Sequence, residues 1–531
     1  MKLKVRYIQI LMMLLGGYCY NTIAQNTNTW GQWETWGDQA NGFYKNPILP
    51  ADFSDIDCIK VGKEYYAISS TFQFSPGMII LHSRDLVNWK VCGHAIEDIT
   101  QITPELNWDR MNRYSRGVWA GSIRYYKGTF YLVFGTPDEG YFITSSCKPQ
   151  GPWKPLCHLL KEAGWDDCCI DWDEEGNPFF VGTNFKDGYK TYLFRMSKEM
   201  NSINMESAIL INSGNHREAN KLLSKDGWHY LIFSEYVPEN GRYVMAKRSK
   251  KIEGPYKEER QLTRNVKGSN EPNQGGIIKG SNGKWYFLTH HGDGDWAGRV
   301  MSLLPVTWVD GWPIIGKIET DGIGVMEWEG KMPAKSSHVS YKVYENFESN
   351  TISKEMEWNY QPRKDKYSLK ERKGWLRLKA FKTINPHDIL SAGNTLTLRT
   401  IRTKNSEIST RIDLSGLADN EHCGLCHFSK SSASMGVTKE NGKIHLETSV
   451  NGKWTKGELI NSTVIWIKSC WGQDGKSHFY YSVDGKTFIP YGSIYQLQWG
   501  NYRGDRIGIF NFNDEGDNGF VDFDFIHYNF Q

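Results

Sequence analysis

Five stretches of this chain carry one short pattern: an apolar run, a turn with glycine, an aromatic residue or pair, and a second apolar run. They are Cys58 to Tyr66 turning at Gly62, Ile123 to Tyr131 at Gly128, Ile170 to Phe180 at Gly176, Lys221 to Tyr230 at Gly227, and Gly276 to Tyr286 at Gly283. The turn glycines are 66, 48, 51 and 56 residues apart. Each stretch reads as a hairpin whose turn needs a positive φ, which glycine reaches without a Cβ clash. A second element follows several of them: Ser83 to Trp89, Ser145 to Trp153 and Ser249 to Tyr256. It predicts an outer turn and strand that close each unit. A unit of about fifty residues with four strands is the size of a propeller blade. The spacing therefore predicts an all-β chain that opens with a five-bladed β-propeller, from about Asn46 to Met332. A pair of sandwiches would not explain five similar hairpins.

The pattern changes after Gly330. Residues 333–340 carry Pro333 and a serine pair and read as a linker. Beyond them, Trp375 to Phe381, Phe479 to Val483 and Phe520 to Phe525 alternate apolar and polar residues, and Tyr481 to Phe488 turns at Gly485. Alternation means strands with one buried face, so residues 341–531 are expected to form a two-sheet β-sandwich of jelly-roll type. Aromatic residues make up 14% of the chain; they favour strands and offer flat faces for binding. The net charge is 63 − 60 = +3, too small an excess to point to nucleic acid or an acidic membrane.

The first residues read as an address. Lys2, Lys4 and Arg6 precede a short apolar run, Ile8 to Leu15, and Thr22-Ile23-Ala24 supplies small residues. This is the layout of a secretory signal, residues 1–24, cleaved after Ala24, with the mature propeller region at 25–332. The run is too short for the roughly 20 residues of a membrane span. The expected location is periplasmic or extracellular. Nine cysteines follow the signal, an odd number in no regular framework. Cys423 and Cys426 lie in a strand-like stretch and read as small buried hydrophobes rather than half a zinc knuckle.

In a propeller the first strand of each blade lines the central channel. Just upstream of the turn glycines stand Asp55, Trp119, Asp167, Glu218 and Gln274. Three acids, an aromatic and an amide would converge on one mouth. Three carboxylates in a small space do not all ionise comfortably, so their proton affinities separate. Glycoside hydrolysis needs such a separation: one carboxylate as base or nucleophile and one carboxyl as acid. Asp57 competes with Asp55, and Asp166 with Asp167, for these positions.

Ordered motifs carry a family resemblance. Asn46 to Pro50, Ser54 to Asp57, Ser75 to Gly77, His82 to Trp89, Val118 to Ile123, Trp165 to Cys169, Glu218 to Leu222 and Val306 to Pro313 resemble glycoside hydrolase family 43. Gly504 to Phe510 and Phe520 to Phe523 are similar to the concanavalin-A-like sandwich behind the propeller of its β-xylosidase and arabinofuranosidase members. The resemblance implies a hydrolase that inverts the anomeric centre, with Asp55 as general base, Asp167 as the acid that orients and tunes the general acid, and Glu218 as general acid. It implies sugar contacts for Arg299 and His291, beside which Phe72, Trp119 and Gln274 are candidate substrate-binding residues. No cofactor or metal is required, although members place a channel histidine, here His290 or His291, beside a structural calcium. The expected substrates are arabinose- or xylose-containing glycans of plant cell walls. Trp165 to Cys169 and Thr289 to Trp296 lean towards an α-L-arabinofuranosidase. A β-D-xylosidase and a non-catalytic carbohydrate-binding propeller are the alternatives.

Overall fold

The computed structural model describes residues 30–530 apart from 270, 293, 339 and 340. The expected signal segment lies outside the described residues. Among these residues the chain is built from strands, with four short 3-10 turns between them.

Between Asp57 and Ile315 the chain makes five successive antiparallel meanders of four strands. The first runs Asp57–Val61, Glu64–Ser69, Gly77–Ser83 and Lys90–Ile96. The others open with Gly121–Tyr126, Trp165–Trp172, Glu218–Lys225 and Gly275–Lys279. These five opening strands touch one another in a closed cycle, the fifth lying against the first. The turn glycines 62, 128, 176, 227 and 283 all have φ between +63° and +85°. Around four of them the space for a Cβ is open, so backbone conformation, not crowding, demands glycine there.

The second strand of each meander explains the apolar runs. Consecutive residues point to opposite faces of a strand. Ala67 and Ile68, Leu132 and Val133, Phe180 and Val181, Leu231 and Ile232, and Phe287 and Leu288 each split between two different buried clusters. Each sheet is thus sandwiched between its two neighbours, and both of its faces are apolar. Cys168 and Cys169 divide in the same way. The outer turns are pinned by their aromatic residues: Trp89 Nε1 donates to Leu86 O at 2.8 Å and Tyr256 OH to Ile252 O at 2.9 Å. Leu49–Asp52, ahead of the first meander, pairs with Val300–Val309 of the fifth and closes the cycle.

The second region stacks a nine-stranded sheet on an eight-stranded one. Its alternating runs become Leu376–Lys379, Lys476–Ser482 and Phe520–Phe530. Cys423 and Cys426 are buried in Glu421–Phe428, and among the described residues no cysteine is paired. The two regions also pair with each other across the segment expected as a linker. Phe74–Ser75, in the connection between the second and third strands of the first meander, pairs with Glu357–Asn359 and forms the edge strand of the eight-stranded sheet. Two residues carry no periodicity, which is why the pairing escapes a reading of the sequence.

A buried ion cluster locks the two regions together. Glu357, fully buried, lies 3.1 Å from His94 Nε2 of the first meander, accepts from Arg399 Nη2 at 3.1 Å, and sits 2.8 Å from Arg506 Nη1. Burial pushes its carboxyl up, but Arg399 and Arg506, with the His94 bond, outweigh this and hold it far below the carboxylate range. A depressed folded-state pKa contributes stability above the unfolded value, about 4.3, and loses it as pH falls. Glu357→Gln leaves two buried guanidiniums uncompensated and is expected to cost about 3–5 kcal/mol in urea unfolding at pH 7. The difference from wild type should shrink as the pH is lowered below about 4.

Candidate active site

The openings of the third and fourth meanders are irregular in the same way. Register slips between Asp166 and Cys169 against the neighbouring strand, and again between Glu218 and Lys221. Asp167 and Ala219 have φ of 45° and 65°. A left-handed non-glycine residue costs about 1–2 kcal/mol, and such bulges re-aim side chains beside functional sites. The two bulges satisfy each other: Ala219 N donates to Asp167 Oδ2 at 2.6 Å. Asp55 is also left-handed, at 59°, and its N–H donates to His290 Nδ1 at 2.7 Å.

These turns aim Asp55, Asp166, Asp167 and Glu218 into one cavity of about 270 Å³, together with Phe72, Trp119, Gln274 and Arg299. Each carboxylate has its own partners. Asp55 accepts from Ser70 Oγ at 2.6 Å and Arg299 Nη1 at 3.1 Å. Glu218 Oε1 lies 2.7 Å from Arg242 Nη2 and accepts from Asn273 Nδ2 at 3.1 Å. Asp167 receives only uncharged donors, the Ala219 amide and the Gln274 side chain. Its cation is one bond further off: Lys221 Nζ donates to Gln274 Oε1 at 3.0 Å. Burial and the nearby Glu218 charge push Asp167 up to about 6, against the pull of Lys221. Burial and the Asp167 charge raise Asp166 well above its usual range, and its buried Oδ1 has no hydrogen-bond partner among the described residues.

The competing acid Asp57 does not line this cavity. It accepts from Arg124 Nη1 at 2.7 Å and from Ile123 N at 3.0 Å. His291, expected to bind substrate, is not there either. Its ring is sealed against Trp30, with centroids 4.9 Å apart and neither nitrogen hydrogen-bonded among the described residues. Burial drives it down to about 3, so it is neutral. Strand parity is the reason: His290 and His291 face opposite ways, and His290 turns towards Asp55. Burial and the Arg299 charge take His290 down to about 3 as well. Because Nδ1 accepts the Asp55 amide, its single proton sits on Nε2, 3.6 Å from Glu271 Oε2. A calcium takes about six to eight oxygens. Among the described residues Glu271 is the carboxylate within 4 Å of this ring, and Arg299 already lies 3.9 Å from it, so the side chains alone do not supply a calcium's ligands.

Several lining residues escaped the sequence reading, Thr183 and Phe185 among them. Arg242, Asn273 and Tyr189 come from loops and later strands, and Tyr502 from the second region. Tyr502 packs edge-on against Trp119, with centroids 5.5 Å apart, and Arg299 lies over its ring at 5.9 Å. Behind it, Asp52 ties the loops together. Its Oδ1 accepts from Arg299 N at 3.0 Å and Ser54 Oγ at 3.0 Å, and its Oδ2 from Gly504 N at 3.1 Å.

A cavity lined by acids with separate partners, one of them held up near 6, is what hydrolysis of a glycosidic bond uses. The comparisons with known proteins agree. Residues 44–313 match the model of glycosyl hydrolases family 43, and residues 344–529 that of the beta xylosidase C-terminal concanavalin A-like domain. The chain belongs to glycoside hydrolase family 43. It is 33% identical to a beta-xylosidase of Formosa agariphila over 93% of this chain and 92% of that one. A putative beta-xylosidase of Xylanibacter ruminicola is 32% identical over 89% and 87% of the two chains. A non-reducing end alpha-L-arabinofuranosidase of Bacteroides ovatus stands further off, 25% identical over 82% of each chain. Among solved structures, a bifunctional GH43-CE protein of Bacteroides eggerthii superposes with a TM-score of 0.82 at 27% identity. That match covers 92% of this chain and 64% of the other.

Lys221 supplies a prediction. In Lys221→Met the cation that lowers Asp167 is gone, and Asp167 should titrate at a higher pH. If hydrolysis uses ionised Asp167, the acidic limb of the kcat/KM profile against pH moves upward, while the alkaline limb stays within a few tenths of a unit.

Proposed function

We propose that this family 43 hydrolase is an exported, inverting exo-glycosidase that releases terminal β-D-xylosyl residues from plant cell-wall polysaccharides or oligosaccharides. In this reading the signal is residues 1–24. The five meanders are the blades of a propeller within residues 25–332, and the sandwich at 341–531 closes one side of its mouth. The observation that carries the proposal is the separation of partners inside one cavity: Asp55 with Arg299 and Ser70, Glu218 with Arg242 and Asn273, and Asp167 between uncharged donors.

Asp55, steered by Arg299, takes a proton from water as that water attacks the anomeric carbon. Glu218 gives its proton to the departing oxygen. Asp167 holds the backbone immediately after Glu218 through the Ala219 amide and so fixes where the acid points. Tyr502 and Trp119 wall one side, which suits a chain end rather than a chain passing through. The name of the 33% identical relative supports xylose. The lean towards arabinofuranose becomes the second reading, supported by the more distant arabinofuranosidase.

Paired aryl β-D-xyloside and α-L-arabinofuranoside substrates test the sugar. The xyloside should be hydrolysed with the higher kcat/KM, and the first sugar released should carry the α configuration by NMR. Asp55→Asn should lower kcat/KM by about 10²–10⁴. Glu218→Ala should lose far less on an aryl glycoside with a good leaving group than on xylobiose. Equal losses on both substrates would remove Glu218 from the acid role.

A further inference from the structure

A second cluster of metal-ligating side chains lies in the sandwich, among residues the glycosidase reading does not use. His422 projects from Glu421–Phe428, Asp514 follows Arg506–Asn513, and His387 stands in the loop before the short turn Ile389–Ser391. One donor atom from each lies within 4.8 Å of the other two. His422 Nε2 is 3.0 Å, and His387 Nδ1 3.1 Å, from Asp514 Oδ2. We propose that His387, His422 and Asp514 form a divalent transition-metal site, suited to zinc, that staples the 382–388 loop onto the sandwich.

Three features argue for a ligand set. The first is the back of His422: its Nδ1 lies 2.9 Å from both oxygens of Glu447, which is fully buried. With a proton on Nδ1 donated to Glu447, the Nε2 lone pair faces Asp514 and His387. A carboxylate behind a histidine is the usual support of a zinc-bound imidazole, fixing both tautomer and ring angle. The second is spacing. With metal bonds of about 2.0–2.1 Å, tetrahedral ligand atoms sit about 3.3 Å apart. The two contacts to Asp514 need to open by only a few tenths of an ångström, and the two imidazole nitrogens, within 4.8 Å of each other, complete the triangle. The third is Asp514 Oδ1, which is buried and has no hydrogen-bond partner among the described residues.

The rings are held as a metal site requires. Phe512 stacks on His422 with centroids 4.9 Å apart and 17° between planes. Trp454 Nε1 donates to His387 O at 2.7 Å and fixes the loop. Asp514 N donates to Asn420 O at 3.0 Å. His387 is exposed, which gives an entry path and a fourth position open to water. Two imidazoles and one carboxylate suit zinc rather than calcium or magnesium, which take oxygen. The rival occupant is a proton on His422 Nε2, which would make the same residues an ion-pair network.

The test uses the full chain, stripped with a chelator and titrated with zinc chloride alone, and reads calorimetry and thermal unfolding. One zinc per chain should bind at micromolar Kd or tighter, and Tm should rise with zinc concentration. His387→Ala, at an exposed loop position, should keep the fold and weaken zinc at least tenfold. Asp514→Asn should do the same without removing side-chain volume. Calcium at equal concentration should leave Tm unchanged. No zinc-dependent rise in Tm, or a rise equal in wild type and His387→Ala, overturns the site and leaves the ion-pair network. An equal response to calcium overturns the choice of metal class.

Discussion

The geometry of the candidate cavity hangs on one buried carboxylate that does not line it. Asp52 has partners on every side: the Arg299 amide and Ser54 hydroxyl on one oxygen, the Gly504 amide on the other, and Arg399 Nε donating to its carbonyl at 2.7 Å. A buried charge must be met by donors or it is ruinously costly, so these segments converge on it. Arg299 touches Asp55, Tyr502 lies two residues before Gly504, and Arg399 belongs to the Glu357 cluster. A Cβ on Gly298 would stand 2.5 Å from Asp52 Oδ1 and 2.6 Å from Gly504 N. Glycine is required there both for its φ of +73° and for this close approach.

The electrostatics of the cavity follow from who stands beside each acid. Chemically similar carboxyls occupy three surroundings: a guanidinium and a hydroxyl, a guanidinium and an amide, and two neutral donors with an ammonium one bond beyond. Environment, not residue type, gives acids separate tasks. His290 belongs to the same design. Kept neutral by burial and by Arg299, it accepts the Asp55 amide and adds no competing charge.

Local features were legible in the sequence. Glycines with positive φ, recurring turns and both-face apolar strands are written within a few residues, and the match of acids to strand openings followed from them. Parity is harder to read. An extra residue at Asp167 and at Ala219 breaks the two-residue alternation, so Asp166 and Asp167 both reach the cavity, whereas His290 and His291 alternate regularly and nothing local marks which of them faces Asp55. Tyr502 and the Phe74–Ser75 pairing were hidden for a different reason: they are contacts between distant segments, and no local pattern encodes a partner hundreds of residues away.

The strand Leu49–Asp52 pairs with Val300 and Met301, which has a consequence for the protein as it is made. Asp55 leaves the ribosome early, yet its seat needs Arg299 and His290, and Asp52 needs the Gly504 amide near the far end. Contacts of such sequence separation form late. The candidate site is therefore complete only when synthesis is nearly finished. A truncated product would hold Asp55, Asp167 and Glu218 without the contacts that seat Asp55.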